Sequence, residues 1–335
     1  MSTDQVFAPP LDQEELDAGW ESLRMPNLGR LDQDEQRRIR AVSDQVAGLV
    51  EPWLGGVSDQ YRGLSWTVAV TLAAITPELS AAELVPVVKL SCWTLVFDDV
   101  FDNHHLSIAE HHTRMRRYLD FLAGAEVDAA DPVARALADC RDELRSVPLF
   151  AELEPEWRSA LEATMRAMMV ECEWRHAHDA DPQALPSFED YLANAVEAID
   201  SRPVTWAALT VIGDRSVLEQ MDFLHGLSAT LARCIRLAND LRTHVKEAGE
   251  GTINSVLVLS SADVPGQPAD PRRRLGRALR EIAADIDVHL RELKGQAEKP
   301  RTSTGRAERW IADCADFVSE FYSRHEYRTL FDTES

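Results

Sequence analysis

No apolar run in the sequence is long enough to cross a membrane: the longest, Trp66–Ile75, is about half of the roughly 20 residues that a spanning helix needs. A cationic excess is missing too. Lys and Arg total 35 against 57 Asp and Glu, a net charge of −22, which argues against nucleic acid and anionic membrane surfaces as partners because both call for a basic footprint. An anionic ligand would have to bind through metal ions or a small local group of cations. The five cysteines (Cys92, Cys140, Cys172, Cys234, Cys314) are odd in number, far apart and without a C-x-x-C pair. They offer neither a disulfide framework nor zinc-ligand spacing. Cys92 and Cys234 fall inside apolar helical patterns and read as small buried hydrophobes. The opening MSTDQVFAPP is acidic and broken by prolines, unlike a signal peptide, so a cytoplasmic protein without membrane insertion is expected. Alternating Val/Ile/Thr segments with hairpin turns are absent, as are internal repeats.

What is there is helix. Hydrophobic residues at 45% and charged residues at 27% of 335 suffice for a large core. From Asp34 onward, apolar residues recur at helical spacing and predict helices over 34–54, 60–75, 80–102, 108–123, 131–146, 155–178, 188–212, 215–246, 271–294 and 306–325. Residues 1–33 read as a loosely ordered polar lead-in, 34–330 as one all-α domain and 331–335 as a tail. The segment Leu84–Phe97 is apolar nearly all round, which places it at a bundle's centre. Pro203, inside 188–212, lacks the N–H that would reach the Ile199 carbonyl. A break there would leave that carbonyl and Ser201 available; a merely bent helix is the plain alternative. Trp93, Phe97 and Phe101 repeat at helical spacing and suit either core or a cavity wall, as does Trp206.

Two polar clusters stand out. Asp98, Asp99 and Asp102 end the apolar helix as DDVFD. Carboxylates at a helix C-terminus face the negative end of its dipole and repel one another. Between Ser91 and Leu106 the only basic residues are His104 and His105. A hard divalent cation with oxygen ligands, such as Mg²⁺, would resolve the conflict; solvation at the surface would as well. Further on, Asn239, Thr243 and Glu247 fall on one stripe of a helix, with Arg236 and Lys246 on the same side. An amide, a hydroxyl and a carboxylate are hard oxygen donors that suit Mg²⁺ and not zinc. Two cations beside them suit a metal-bound phosphate, while an exposed ladder of charges is the alternative.

In combination and in order, DDVFD at 98–102 and NDLRTHVKE at 239–247 resemble the two metal motifs of bacterial class I terpene synthases (terpene cyclases). The segments YLANAVEAIDS at 191–201 and RLANDL at 236–241 are most similar to diterpene synthases of the kaurene-synthase-like kind. The resemblance implies a single-domain helical bundle around a central cavity, closing on a prenyl diphosphate through three Mg²⁺ ions, with Mn²⁺ able to substitute. It implies Asp98 and Asp102 as ligands on one wall, with Asp99 behind them, and Asn239, Thr243 and Glu247 on the other. Lys246 and Arg236 would bind the diphosphate, and the Ile199 carbonyl and Ser201 would face the substrate at a helix break. The activity implied is ionisation and cyclisation of a C20 prenyl diphosphate, geranylgeranyl or copalyl diphosphate, to a diterpene. A homodimer is compatible with it.

Some features depart from that pattern. Many family members carry an arginine diphosphate sensor where this chain has Ala193, Asn194 and Ala195. Arg236 takes that role, with Arg202 as the weaker candidate and a surface ion pair with Asp240 as the plain reading of Arg236. The family's C-terminal Arg-Tyr pair is Glu326-Tyr327 here, which carries over Tyr327 and leaves Arg324 or Arg328 to replace the arginine. No D-x-D-D motif is present, so ionisation, not protonation, would start the reaction. A sesquiterpene synthase using farnesyl diphosphate is the nearest alternative. A chain-elongating prenyltransferase is disfavoured by Asn239 and Thr243, where that class repeats its aspartates. A helical binding protein without catalysis is the alternative of another class.

Overall fold

The computed structural model describes residues 11–23, 25–101, 106–262, 270–327 and 329–331. Among them there are fourteen α-helices and no strand: α1 Gln13–Leu23, α2 Pro26–Gly29, α3 Gln33–Gly55, α4 Leu64–Ile75, α5 Ala81–Phe101, α6 Ile108–Leu122, α7 Pro132–Arg145, α8 Phe150–Ala180, α9 Phe188–Ala198, α10 Ser201–Ile212, α11 Met221–Glu250, α12 Ser255–Ser261, α13 Pro271–Ala297 and α14 Arg306–Tyr322. Helix starts follow local chemistry. Asp32 with Glu35, and Ser107 with Glu110, form reciprocal capping boxes at α3 and α6. Asp131 and Asp270 each cap a helix whose first residue is proline.

α4 and α5 run through the centre, α4 buried at every position but Ala74. Around them α3, α8, α10, α11 and α14 pack into a bundle, with α13 outside α11 and α14. Helices that present apolar groups on all sides gain stability only when surrounded, and α4 and α5 are. The aromatic stripe on α5 is core: Trp93 stacks on Phe97 at 4.7 Å, Phe97 meets Tyr118 at 4.9 Å, and Trp93 Nε1 donates to the Val133 carbonyl at 2.8 Å. Trp206 is likewise buried, against His225 at 4.7 Å. All five cysteines are buried thiols, as expected for Cys92 and Cys234.

The expected lead-in needs correction. Gln13–Leu23 and Pro26–Gly29 form α1 and α2, and Leu23, Met25 and Leu28 are buried in the core. The same segment is tied to the chain's other end: Asn27 N donates to Glu320 Oε2 at 3.1 Å, and His325 Nε2 lies 2.7 Å from the Leu23 carbonyl. Phe331 packs edge-on against Trp66 at 5.5 Å, beside Gly19 and Gly63. The helix expected over 188–212 is two helices, α9 and α10, and α12 was not foreseen. The helix expected from 215 begins as a 3-10 turn, Arg215–Glu219, before α11. No described helix is long and apolar enough to cross a membrane.

Candidate active site

A cavity of about 240 Å³ opens among α4, α5, α8, α10, α11 and α14. Its interior is apolar and aromatic, with Val68, Leu72, Leu95, Trp174, Ile235, Trp310, Val318 and Tyr322 on its walls. The other end is polar and contains Asp98, Glu171, Arg175, Tyr191, Arg236, Asn239, Thr243, Lys246 and Glu247. Six of the expected site residues, Asp98, Arg236, Asn239, Thr243, Lys246 and Glu247, thus share the polar end of one recess.

α5 delivers Asp98 to this end. Asp99, on the next position, accepts from the Tyr61 hydroxyl at 2.6 Å and is absent from the cavity lining. Asp102 lies outside the described residues, as do His104, His105 and Arg328. Glu171 from α8 joins Asp98, a residue the sequence reading missed. A signal existed: Glu171 and Arg175 are charged residues one turn apart in a helix whose neighbouring turns bury Met165, Met168, Met169 and Cys172. Burial raises the Glu171 pKa to about 7; Asp98 and Asp240 push in the same direction, against Arg236 and Arg175.

α11 supplies the opposite wall. The stripe expected for Asn239, Thr243 and Glu247 faces the cavity. The Thr243 hydroxyl donates to the Asn239 carbonyl at 2.9 Å. Glu247 is likewise raised to about 7, by burial and then by Asp240, with Arg236, Asn254 and Thr243 opposing. Asn254, the N-cap of α12, bridges this wall: its Nδ2 donates to Glu247 Oε2 at 2.6 Å and to the Asp240 carbonyl at 3.0 Å. Asp240 itself is fully buried and turned into the protein, where Oδ2 accepts from the Tyr191 hydroxyl at 2.8 Å and Ser255 N at 3.1 Å.

Arg236 is not the surface partner of Asp240 that its spacing allows. Its side chain is 12% exposed; Nε lies 3.0 Å from Asp240 Oδ1 and Nη2 lies 3.1 Å from Glu171 Oε1. Nη2 also donates to the Tyr191 hydroxyl at 2.6 Å. The guanidinium thereby links α8, α9 and α11 at the cavity's polar end. Arg202 is not among the lining residues; it pairs with Glu197 and approaches His225 Nδ1 at 3.4 Å. Tyr327 lines the cavity, but its hydroxyl meets Thr71 Oγ1 at 3.0 Å, on the α4 side. Glu326 lines it too, and pairs with Arg242 at 3.5 Å. At the break between α9 and α10, Ile199, Asp200 and Ser201 all face the cavity. Asp200 takes a left-handed φ of 58°, the one positive φ at a described residue other than glycine, and Ser201 Oγ is buried without a hydrogen-bond partner.

This donor set is made of oxygens: carboxylates, an amide and a hydroxyl. Two of its carboxyl groups have pKa values near neutrality, so the fixed cations present offset their charge only in part. Among the described residues no three His, Cys, Asp or Glu side chains close on a single point. Open walls of hard oxygen donors fit Mg²⁺ that shares its coordination with a ligand's phosphate oxygens.

Ent-kaurene synthase-like 3 from Oryza sativa subsp. japonica is 32% identical over 136 residues, 39% of this chain and 16% of the relative. Monofunctional isopimaradiene synthase from Pinus banksiana is 22% identical over 91% of this chain and 34% of the relative. The chain thus spans about a third or less of the length of these curated relatives. Among solved structures, linalool/nerolidol synthase from Streptomyces clavuligerus superposes with a TM-score of 0.61 at 18% identity, over 85% of this chain and 93% of that one. For 2-methylisoborneol synthase from Streptomyces coelicolor the TM-score is 0.67 at 16% identity, over 87% and 92%. These likenesses show a shared all-α fold. Residues 89–265, just over half of the chain and both polar walls, match the family described as "Terpene synthase family 2, C-terminal metal binding", and the chain belongs to that family.

Proposed function

We propose that this protein is a Mg²⁺-dependent class I terpene synthase that ionises and cyclises a C20 prenyl diphosphate, geranylgeranyl or copalyl diphosphate, to a diterpene with release of diphosphate. The observation that carries the reading is a single recess with oxygen donors and cations at one end and an apolar, aromatic interior at the other. Asp98 and Asp102 from one wall, with Glu171 beside Asp98, and Asn239, Thr243 and Glu247 from the other would hold the metal. Bound there, Mg²⁺ would neutralise the diphosphate and make it a leaving group.

The chain's own residues do the rest. Arg236 and Lys246 bind diphosphate oxygens, and Arg236 is held in place for this by Tyr191 and Asp240. As the allylic C–O bond breaks, both electrons leave with the diphosphate and the carbon chain keeps the positive charge. Trp174, Trp310 and Tyr322 present ring surfaces to the cation, and the apolar walls around them exclude water. Ile199 and Ser201, at the break, line the same space, where a carbonyl and a hydroxyl dipole would favour the cation. Tyr327 closes the far wall.

The C20 class is supported by relatives named as ent-kaurene synthase-like and isopimaradiene synthases. A C10 or C15 substrate is the second reading, favoured by the likeness to a linalool/nerolidol synthase solved with 2-fluorogeranyl diphosphate. Incubation with C10, C15 and C20 diphosphates, followed by gas chromatography–mass spectrometry, decides between them. A cyclic C20 hydrocarbon and free diphosphate are expected with Mg²⁺ and not with chelator. Turnover of the C15 substrate alone would establish the second reading. Binding of every diphosphate without release would make this a binding protein.

A further inference from the structure

Arg175 has no place in either sequence motif. The end of α5 collects unfavourable groups: its last carbonyls, Asp98 and Asp99 all sit at the negative end of the helix dipole. No Lys or Arg occurs in the sequence between Ser91 and Leu106 to offset them. The fold brings one from α8. Arg175 is 5% exposed, lines the cavity with Asp98 and Glu171, and donates from Nη2 to the Phe101 carbonyl at 2.8 Å. The Cys172 thiol, one turn earlier on α8, donates to the same oxygen at 3.4 Å. His111 of α6 backs this contact, its Nδ1 3.9 Å from the sulfur and its ring 5.7 Å from the Phe101 ring. Two donors of α8 therefore converge on the last carbonyl of α5, which belongs to the peptide unit leading into Asp102. Helix ends leave such carbonyls without intrahelical partners, and a guanidinium satisfies one while setting a positive charge among the carboxylates.

We propose that Arg175 is a positioning residue for the acidic wall: it pins the end of α5 to α8 and offsets the carboxylate charge, so that the aspartates are in place before any metal enters. This rests on the reading of that helix end as metal-binding. Replacing Arg175 leaves the bundle folded and loosens the acidic end, which metal and diphosphate must then order.

The test compares Arg175→Ala and Arg175→Lys with Arg166→Ala, an exposed arginine of the same helix paired with Glu162. One measurement is backbone hydrogen exchange of a peptide spanning residues 92–106 in metal-free protein. The other is the Mg²⁺ concentration that gives half of the melting-temperature shift at fixed inorganic diphosphate. In Arg175→Ala, exchange in that peptide rises about fivefold, or more, and returns to the wild-type rate with Mg²⁺ and diphosphate. The Mg²⁺ requirement rises about tenfold if the competent fraction falls to a tenth. Arg175→Lys lies between, since an ammonium keeps the charge without the planar fork. Arg166→Ala matches the wild type. Wild-type exchange in Arg175→Ala, or faster exchange spread evenly along the chain, overturns the proposal. Should the alanine variant not fold, the lysine variant is held to the same criteria. If the wild type itself shows no melting shift with Mg²⁺ and diphosphate, the proposed function fails, and the local exchange still decides whether Arg175 pins α5.

Discussion

At the scale of single residues, Arg236 has two functions that a substitution separates. Its guanidinium faces the cavity and also neutralises Asp240, which is wholly buried. An exposed arginine could be removed with little effect on melting, but here Arg236→Ala leaves a buried carboxylate unpaired. The alanine variant is expected to lose several degrees of melting temperature and about 30- to 1000-fold in turnover, the equivalent of roughly 2–4 kcal/mol of transition-state stabilisation. Arg236→Lys keeps the charge beside Asp240 and melts closer to the wild type. It turns over nearly as poorly as Ala, for want of the two-pronged donor. Kinetics and calorimetry on the pair check this; an alanine variant within a fewfold of the wild type would place the diphosphate sensor elsewhere. Glu171 and Glu247 lead to a pH dependence. Both titrate at about 7 in the folded protein against 4.5 for an ordinary glutamate, so the folded state holds protons that the unfolded chain has already lost. Their contribution to stability therefore falls as pH rises between those values. Metal-free protein should melt at a higher temperature as pH is lowered from about 8 to about 6, and Glu171→Gln should flatten that slope. A melting temperature that climbs with pH over this window would contradict the assignment. The stripe at 239, 243 and 247 was legible because helical spacing alone puts those residues together. Glu171 was marked only as a charge amid apolar turns, and its place in the site was not legible, because only the packing of α8 against α5 and α11 brings it to them. The turning of Asp99 toward Tyr61 depends on α5 meeting the segment before α4, which adjacency in sequence does not convey.

At the scale of elements, periodicity located the long helices within a few residues and failed where it had little to work on. α12 is seven residues long, and α1 offers few apolar side chains of its own. Leu23, Met25 and Leu28 secure the lead-in by burial against other helices, an effect absent from the local pattern. Pro203 was the legible mark of the α9–α10 break. It sits in the first turn of α10, where a missing N–H is harmless, and the reversal itself falls at Asp200. Gly63 makes a comparable entry to α4. Its φ is 82°, and a Cβ there would come within 2.5 Å of Phe331 Cδ2. Gly63→Ala combines a left-handed penalty with overpacking and should destabilise the protein by about 2–4 kcal/mol in denaturant unfolding. Phe331→Ala in the same background should recover part of that loss, because it removes the ring and leaves only the backbone strain. An additive double variant would mean that the two positions do not meet.

For the molecule as a whole, the charge of −22 and the acidic recess make binding of a bare anion unfavourable, so the proposed function requires metal to accompany diphosphate. Mg²⁺ and inorganic diphosphate together should raise the melting temperature by more than the sum of their separate effects. Zinc should not replace Mg²⁺, since no cysteine or histidine stands at a proposed ligand position. Equal and additive shifts would indicate independent surface binding. The all-α architecture was legible from residue 34 onward, while the closure of the bundle was not: it depends on the contact of Asn27 with Glu320 and of His325 with Leu23, nearly the full chain apart. That closure makes the two ends a buckle. Trimming the polypeptide back to Asp34 would remove Leu23, the partner of His325, and two residues further along that strap Tyr327 forms part of the cavity wall. A truncation chosen to tidy the amino terminus would therefore reach the wall of the cavity as well.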